Sequence, residues 1–249
     1  MQPPKVVSHD EWLKARSELL AIEKQFTRER DALTQRRMAM PWERVEKDYA
    51  FDTEDGPRTL TELFDGRSQL LVYHFMFGAD WDAGCPSCSF TADEFDRGIV
   101  HLEQRDVTMV CVSRAPVEKL AAYQRRMGWS FTWASSLRSD FNFDLGVSFT
   151  DAQQRDGAEY NFRRVEQPPD ELPGLSAFIL DGGVVYRTYS AYARGLDIID
   201  NVYQLLDRAP KGRDEDNLRF TMEWVRHHDR YEPQPASKAT AGSCCAAHT

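Results

Sequence analysis

The chain opens with a repeating apolar pattern that is typical of a helix. Apolar residues recur every seven positions at Trp12, Leu19, Phe26 and Leu33. Just before them, Ser8 and Glu11 have the spacing of a capping box, in which each side chain satisfies the other residue's backbone N–H. The pattern predicts one amphipathic helix of about twenty-five residues. Because it is short for a dedicated coiled coil, we expect it to pack on its own domain, with pairing to a second copy as the alternative.

The chain from about residue 45 to 208 alternates strand and helix patterns. An almost unbroken apolar run at 70–77 is typical of a strand buried on both faces of a mostly parallel sheet. Strands are predicted at 45–51, 70–77, 107–112, 131–134, 177–180 and 184–189, and helices after 59–62 and at 90–104, 115–127 and 195–206. The last two strands flank a tight-turn sequence at 181–183. This order predicts an α/β thioredoxin-like fold, with a central mixed sheet flanked by helices.

These patterns divide the chain into four parts. Residues 1–44 form a predicted N-terminal helical extension, and residues 45–208 form the thioredoxin-like domain. A polar stretch at about 150–174 is predicted to be a long insertion or loop within that domain. Residues 209–232 are a C-terminal extension, and the Ala-, Ser- and Pro-rich end at 233–249 is predicted to be disordered.

Composition narrows the classes of partner. The 249 residues carry a formal net charge of -9, and the basic residues are interleaved with acidic ones, so no nucleic-acid partner is expected. The start of the sequence lacks a basic stretch followed by an apolar run, and no apolar run is long enough to span a bilayer. We therefore expect a cytoplasmic protein without a membrane partner, where thiols are kept reduced.

The candidate chemistry lies in the segment Gly84-Cys85-Pro86-Ser87-Cys88, between the buried strand and the next predicted helix. Free N–H groups and the positive end of the helix dipole favour a thiolate at Cys85. The two-residue spacer allows a small disulfide ring to close with Cys88. Pro86 has no N–H to leave unpaired and suits a first helical turn. The pattern predicts a redox-active pair in which Cys85 attacks and Cys88 resolves.

Other roles for the cysteines stay open. A structural zinc site would need four ligands, and the folded part has no second close cysteine pair. Copper binds soft thiolates together with an imidazole, so His74 could complete a copper site with the two cysteines. A core histidine is nevertheless the favoured interpretation of His74. His227 and His228 are interpreted as surface histidines and Cys111 as a small core residue. The tail residues Cys244, Cys245 and His248 could bind a soft metal, although an exposed tail is favoured.

Longer segments resemble a known family. They are residues 73–81, 84–90, 112–116, 127–131, 139–144, 188–195, 211–216 and 227–231. Together they resemble a bacterial thioredoxin-like family of predicted dithiol–disulfide oxidoreductases with a domain of unknown function. The resemblance implies a thioredoxin-like fold and a redox role without a known substrate. It also places Trp81 where thioredoxins carry a tryptophan before the dithiol, and Ser176 where they carry a substrate-holding cis-proline.

The leading hypothesis is a thiol–disulfide oxidoreductase that acts on a thiol or disulfide substrate and is reset by a cellular reductant. It needs no cofactor, with Cys85 and Cys88 as catalytic residues and Trp81 and Ser176 as substrate-binding residues. A peroxidase is disfavoured because the peroxidatic Pro-x-x-x-Thr/Ser-x-x-Cys pattern does not precede Cys85. The alternative is a copper carrier or copper-dependent enzyme that uses the same cysteines with a histidine. A third hypothesis is a scaffold that forms a homo-oligomer through the N-terminal helix.

Overall fold

The computed structural model describes residues 5–232. This part of the chain forms the helices α1 (His9–Met38), α2 (Pro86–Phe95), α3 (Ile99–Glu103), α4 (Val117–Met127), α5 (Phe141–Asp144), α6 (Asp151–Asp156) and α7 (Asn201–Leu206). Its strands are β1 (Glu43–Arg44), β2 (Ala50–Thr53), β3 (Gly56–Thr59), β4 (Gln69–His74), β5 (Val107–Ser113), β6 (Thr132–Ser135), β7 (Ala158–Tyr160), β8 (Arg163–Val165), β9 (Gly174–Asp181) and β10 (Val184–Tyr192). Short 3₁₀ helices lie at Glu62–Phe64, Asp96–Gly98, Ala193–Ile199 and His228–Arg230.

Eight of these strands form one mixed sheet in the order β1-β10-β9-β4-β5-β6-β2-β3. Strands β4, β5 and β6 run parallel, while β9 pairs antiparallel with both β4 and β10. Parallel strands joined to an antiparallel hairpin, with helices on both faces, are the predicted thioredoxin-like arrangement, and that fold class is confirmed. The turn predicted at 181–183 connects β9 to β10.

Strand β4 lies at the centre of the sheet and is buried on both faces, as its apolar run predicted. Successive strand residues point to opposite faces. Val72 joins the core on one side of the sheet, with Phe141 and Phe178. Tyr73 joins the core on the other side, with Cys88 and Trp133. The dithiol therefore belongs to only one of the two cores.

Two predicted elements differ in the structure. The helix predicted at 90–104 begins at Pro86 and is divided into α2, a 3₁₀ turn and α3. The polar stretch at 150–174 is not a plain loop, because it contains α6 and a two-stranded sheet of β7 and β8. Thr150 and Gln153 form a capping box at the start of α6. The polar composition of the stretch did not indicate this helix start.

Helix α1 carries the predicted capping box but not the predicted packing. Ser8 accepts from the Glu11 backbone N–H, and the Glu11 carboxylate accepts from the Ser8 backbone N–H. None of its thirty residues is buried. The expectation that it packs on its own domain is wrong for this structure, since its apolar stripe faces outward with Phe26 65 % exposed. No helix among residues 5–232 is long and apolar enough to cross a membrane.

The C-terminal extension folds back over the dithiol helix. Val225 is buried in a small core with Phe90 of α2 and Tyr203 of α7. The ring of Trp224 lies 5.8 Å from that of Phe90, edge to face. The predicted disordered tail, residues 233–249, lies outside the described residues, as do Cys244, Cys245 and His248.

Candidate redox site

Cys85 and Cys88 lie at the start of α2, where the sequence placed them. Cys85 occupies the N-cap position and Pro86 the first turn. Cys85 is half-buried, Cys88 is buried, and both are free thiols. The backbone N–H of Met76 points to Cys88 Sγ at 3.5 Å, which ties the inner sulfur to the chain just after β4. Cys85 is thus the more accessible of the two, and the division into an attacking and a resolving thiol stays a prediction.

The surroundings of the two thiols give them different pKa values. The pKa of Cys85 is lowered to about 7, chiefly by a hydrogen bond from the Cys88 side chain and, against the effect of burial, by the backbone N–H groups of Cys88 and Ser87. Burial raises the pKa of Cys88 well above its ordinary value, and its contact with Cys85 raises it further. Near neutral pH a large fraction of Cys85 is therefore thiolate, while Cys88 keeps its proton.

The loop before Cys85 is tightly packed. A Cβ at Gly84 would lie 2.7 Å from the ring of Phe75, a distance that no side chain tolerates without displacement. The backbone N–H of Cys85 donates to the carbonyl of Met76 at 3.0 Å. Glycine at this position therefore allows the loop to fit against the aromatic core and fixes where the cysteine emerges.

Trp81 braces this loop from outside the dithiol pocket. Its indole Nε1 donates to Asp170 Oδ2 at 2.8 Å, and Lys119 Nζ donates to its carbonyl oxygen at 2.8 Å. The ring packs partly against the core that contains Cys88. These contacts tie the loop to the chain before β9 and to α4. A direct contact between Trp81 and substrate stays a prediction.

Ser176 does not face the dithiol. It is fully buried, and its hydroxyl lies 3.0 Å from both His74 Nε2 and Ser190 Oγ. Its predicted role in holding substrate is therefore corrected, because the side chain is enclosed in the opposite core. The residue before β9 that lines the pocket with Cys85 is Pro173, three positions earlier.

His74 is also separated from the cysteines by the sheet. Its ring lies 5.7 Å from that of Phe141, in the core on the opposite side from Cys88. Burial lowers the pKa of His74 to about 3, so the ring is neutral and acts as a core histidine. Within residues 5–232, no group of three or more His, Cys, Asp or Glu residues could hold a metal ion. The copper alternative remains a prediction that His74 does not support.

A pocket of about 410 Å³ opens beside the dithiol, and the C-terminal extension forms one of its walls. Arg213 donates to the carboxylates of Asp197 and Asp207, with distances from 2.6 to 3.0 Å. Glu215 Oε1 accepts from the hydroxyl of Tyr203, the backbone N–H of Met222 and the indole of Trp224. These contacts give the segment 211–216 a structural role. The sequence pointed to this segment only through its resemblance to the family.

The histidines at 227 and 228 contact the same region. His228 Nδ1 lies 2.8 Å from Asp93 Oδ1 on α2, and the same oxygen accepts from Trp129 Nε1. His227 lies against the loop that precedes Cys85. His228 is exposed, as predicted, whereas His227 is half-buried, and both fasten the C-terminal extension to α2 and the loop before it. Only their position in a family segment pointed to them in the sequence.

Several solved peroxiredoxin structures resemble this chain at low sequence identity. Peroxidoxin BcpB from Mycobacterium tuberculosis shares 14 % identity over 67 % of this chain and 97 % of its own, with a TM-score of 0.44. A cysteine-to-serine mutant of PrxQ from Xylella fastidiosa shares 12 % identity over 63 % of this chain and 89 % of its own, with a TM-score of 0.41. No curated protein matches this sequence. Residues 1–231 match the family described as bacterial protein of unknown function (DUF899), and the chain belongs to that family.

Proposed function

We propose that this protein is a thiol–disulfide oxidoreductase in which Cys85 attacks a substrate disulfide and Cys88 resolves the mixed disulfide. The observation that carries the proposal is the position of the pair at the start of α2, with Cys85 half-buried at the N-cap and Cys88 buried in the first turn. The helix N-terminus favours the thiolate on the more accessible sulfur, while burial keeps the inner sulfur protonated. That arrangement provides a nucleophile near neutral pH and places the second thiol next to the bond it must break.

The reaction proceeds in two exchanges. The Cys85 thiolate attacks one sulfur of the substrate, forms a mixed disulfide and expels the other sulfur as a thiolate. Cys88 then gives up its proton and attacks Cys85 Sγ, which expels the second substrate thiolate and leaves a Cys85–Cys88 disulfide. Loss of the Cys85 negative charge in the first step removes one of the effects that raise the pKa of Cys88. The first exchange therefore makes the second easier. A cellular thiol reductant would restore the dithiol.

The test is single-turnover reduction of a small disulfide by the reduced protein, followed by mass spectrometry. The wild type should lose two hydrogens, mapped to Cys85 and Cys88. Cys85→Ser should abolish the reaction, whereas Cys88→Ser should accumulate one substrate thiol attached to Cys85. Cys111→Ala is the matched control, because Cys111 is a buried core thiol that lies on β5. Undiminished reduction by Cys85→Ser would refute the proposal.

A further inference from the structure

The pocket beside Cys85 is closed in by parts of the chain distant in sequence. Pro173 and the 3₁₀ helix Ala193–Ile199 contribute residues to it, and Thr221 and Met222 of the C-terminal extension also line it. A disulfide within a folded protein would have to bring two stretches of backbone between these walls. A small disulfide enters whole, and a pocket of about 410 Å³ is of the size that holds small ligands.

Three carboxylates and two guanidinium groups line the pocket, so its carboxylates are in excess. Asp197, Asp200 and Glu215 all line it. The guanidinium of Arg213 also lines it, but two carboxylates already bind that group, those of Asp197 and Asp207. Arg194 is three-quarters exposed and lies 3.4 Å from Asp197. The two guanidinium groups thus form their ion pairs with Asp197 and Asp207. Among the described residues, Asp200 and Glu215 have no ion pair of their own, and they feel these cations only at longer range.

Asp200 lies close to the dithiol. Thr91 Oγ1 donates to Asp200 Oδ1 at 2.7 Å. Thr91 is three residues after Cys88 on α2, which is slightly less than one helical turn. The hydrogen bond occupies one carboxylate oxygen of Asp200, and the three donors to Glu215 all bind Oε1. A group held by Asp200 would therefore lie about one helical turn from Cys88.

The titration of Asp200 agrees with an excess of negative charge at this wall. Its pKa is raised, first by burial and then by the neighbouring charge of Asp197, against the hydrogen bond from Thr91 and the positive charges of Arg213 and Arg194. The pKa of Glu94, behind it, is raised to about 7, first by burial, and Asp200 contributes to that shift. A cation in the pocket would offset this repulsion, whereas an anion would add to it.

We propose that the pocket selects small disulfides carrying protonated amines, with Asp200 and Glu215 binding an ammonium group while one disulfide sulfur lies against Cys85. This inference rests on the proposed function. Each turnover converts one such disulfide into two aminothiols: the two electrons come from Cys85 and Cys88, which become a disulfide, and the expelled thiolates take up protons from the Cys88 thiol and from water. A cellular thiol reductant returns the pair to the dithiol.

Three disulfides of matched size test how the charge of the substrate affects its rate, apart from its intrinsic reactivity with thiols. They are the dication cystamine, the neutral bis(2-hydroxyethyl) disulfide and the dianion 3,3′-dithiodipropionate. Each single-turnover rate with the full-length reduced protein is divided by the rate of the same disulfide with free dithiothreitol. We expect cystamine to react about tenfold faster than dithiodipropionate at low ionic strength, with the neutral compound between them and the differences shrinking in high salt. Insulin, a protein disulfide, should react more slowly than all three after the same correction.

The outcomes separate this inference from the proposed function. Asp200→Asn keeps the acceptor for Thr91 but removes the charge, so the ratio of the cystamine rate to the dithiodipropionate rate should fall several-fold. Asp151→Asn on α6, which does not line the pocket, should leave that ratio unchanged. Equal corrected rates for the three small disulfides, or a faster rate with insulin, would overturn the selectivity while leaving the oxidoreductase in place. If no disulfide oxidises the pair, the proposed function itself fails.

Discussion

The imidazole Nε2 of His227 lies 2.9 Å from the carbonyl oxygen of Gly84, the residue directly before Cys85. A carbonyl only accepts, so Nε2 carries the proton in this contact. The other ring nitrogen, Nδ1, lies 3.3 Å from a guanidinium N–H of Arg126, which only donates. Both neighbours therefore require the same neutral tautomer. Through this ring the C-terminal extension holds the loop that precedes Cys85.

This contact predicts that His227→Phe loosens the dithiol loop. The phenyl ring keeps the edge-to-face packing on Tyr123, at 5.6 Å for the histidine, but loses the donor to Gly84. We expect a loss of about 1 kcal/mol in the free energy of unfolding and faster amide hydrogen exchange in residues 82–88. His227→Gln, which can place an amide N–H near the same carbonyl, should recover part of the protection. Unchanged exchange in the Phe variant would show that the contact does not hold the loop.

A second prediction concerns the thiol pair. Alkylation of reduced Cys85 by iodoacetamide should rise with pH around a midpoint of about 7. The largest cause of that low pKa is the hydrogen bond from Cys88, so Cys88→Ala should move the midpoint upward, towards the ordinary value of 9.0. Cys88→Ser retains a donor and should stay nearer the wild type. If Cys88→Ala leaves the midpoint in place, the helix N-terminus rather than the neighbouring thiol sets the pKa.

Packing of the loop gives a third prediction. Gly84→Ala places a methyl group 2.7 Å from the ring of Phe75, which is buried and cannot move aside cheaply. We expect a loss of about 1–3 kcal/mol in stability, measured by urea unfolding, together with slower reaction of Cys85. Gly98→Ala is the matched control, because nothing lies within 4 Å of its added Cβ. Similar stability for the two variants would mean that the loop adjusts without strain.

The local parts of the site were predictable because their signals are local. The dithiol follows a buried strand and precedes a helix, so its place at the N-cap of α2 followed from adjacent residues. The capping box of Ser8 and Glu11 is likewise a four-residue signal. In contrast, the outward face of α1 was not predictable, because an apolar stripe has the same pattern whether a partner covers it or not.

Other features of the site could not be predicted, because the hydrophobic pattern does not encode them. Tyr73 and His74 must face opposite sides of the sheet because they are adjacent in a strand, but every residue at 70–77 except His74 is apolar or aromatic, so the run did not show which side faces Cys88. The resemblance places Ser176 just before a strand predicted to begin at residue 177, but β9 begins at Gly174, so Ser176 lies inside the strand. The pairing of Arg213 with Asp197 joins residues sixteen positions apart in the chain, and periodicity carries no information about such contacts.

The exposed stripe of α1 leads to a fourth prediction. Phe26 is 65 % exposed, so Phe26→Glu should change the free energy of unfolding by no more than about 0.5 kcal/mol. Phe178 lies in the core at 3 % exposure, so Phe178→Ala should lower the free energy of unfolding by about 3–5 kcal/mol. This variant serves as the comparison for a buried residue. Urea unfolding at two protein concentrations, with sedimentation to measure mass, is the experiment. A loss of about 2 kcal/mol that depends on concentration would show that a second copy covers the stripe.

The fifth prediction concerns Glu171, just before β9. Its carboxylate is 3 % exposed and accepts from the Ser148 hydroxyl at 2.8 Å. Burial raises its pKa from 4.5 to about 8, against the effects of Ser148 and Arg114. The folded state therefore binds a proton that the unfolded chain releases at lower pH. This contribution to stability is complete below pH 4.5 and is lost as the pH rises towards about 8.

Glu171→Gln should remove that dependence, because the amide stays neutral at every pH. From pH 4.5 to 8 the stability of the wild type should decline relative to the variant, by about 1.4 kcal/mol per pH unit at most. Above pH 8 the difference should level off. Urea unfolding curves for both proteins at unit steps from pH 5 to 9 measure it. Parallel stability curves would show that the carboxyl reaches water and titrates near its ordinary value, and that the chain before β9 opens more readily than its burial implies.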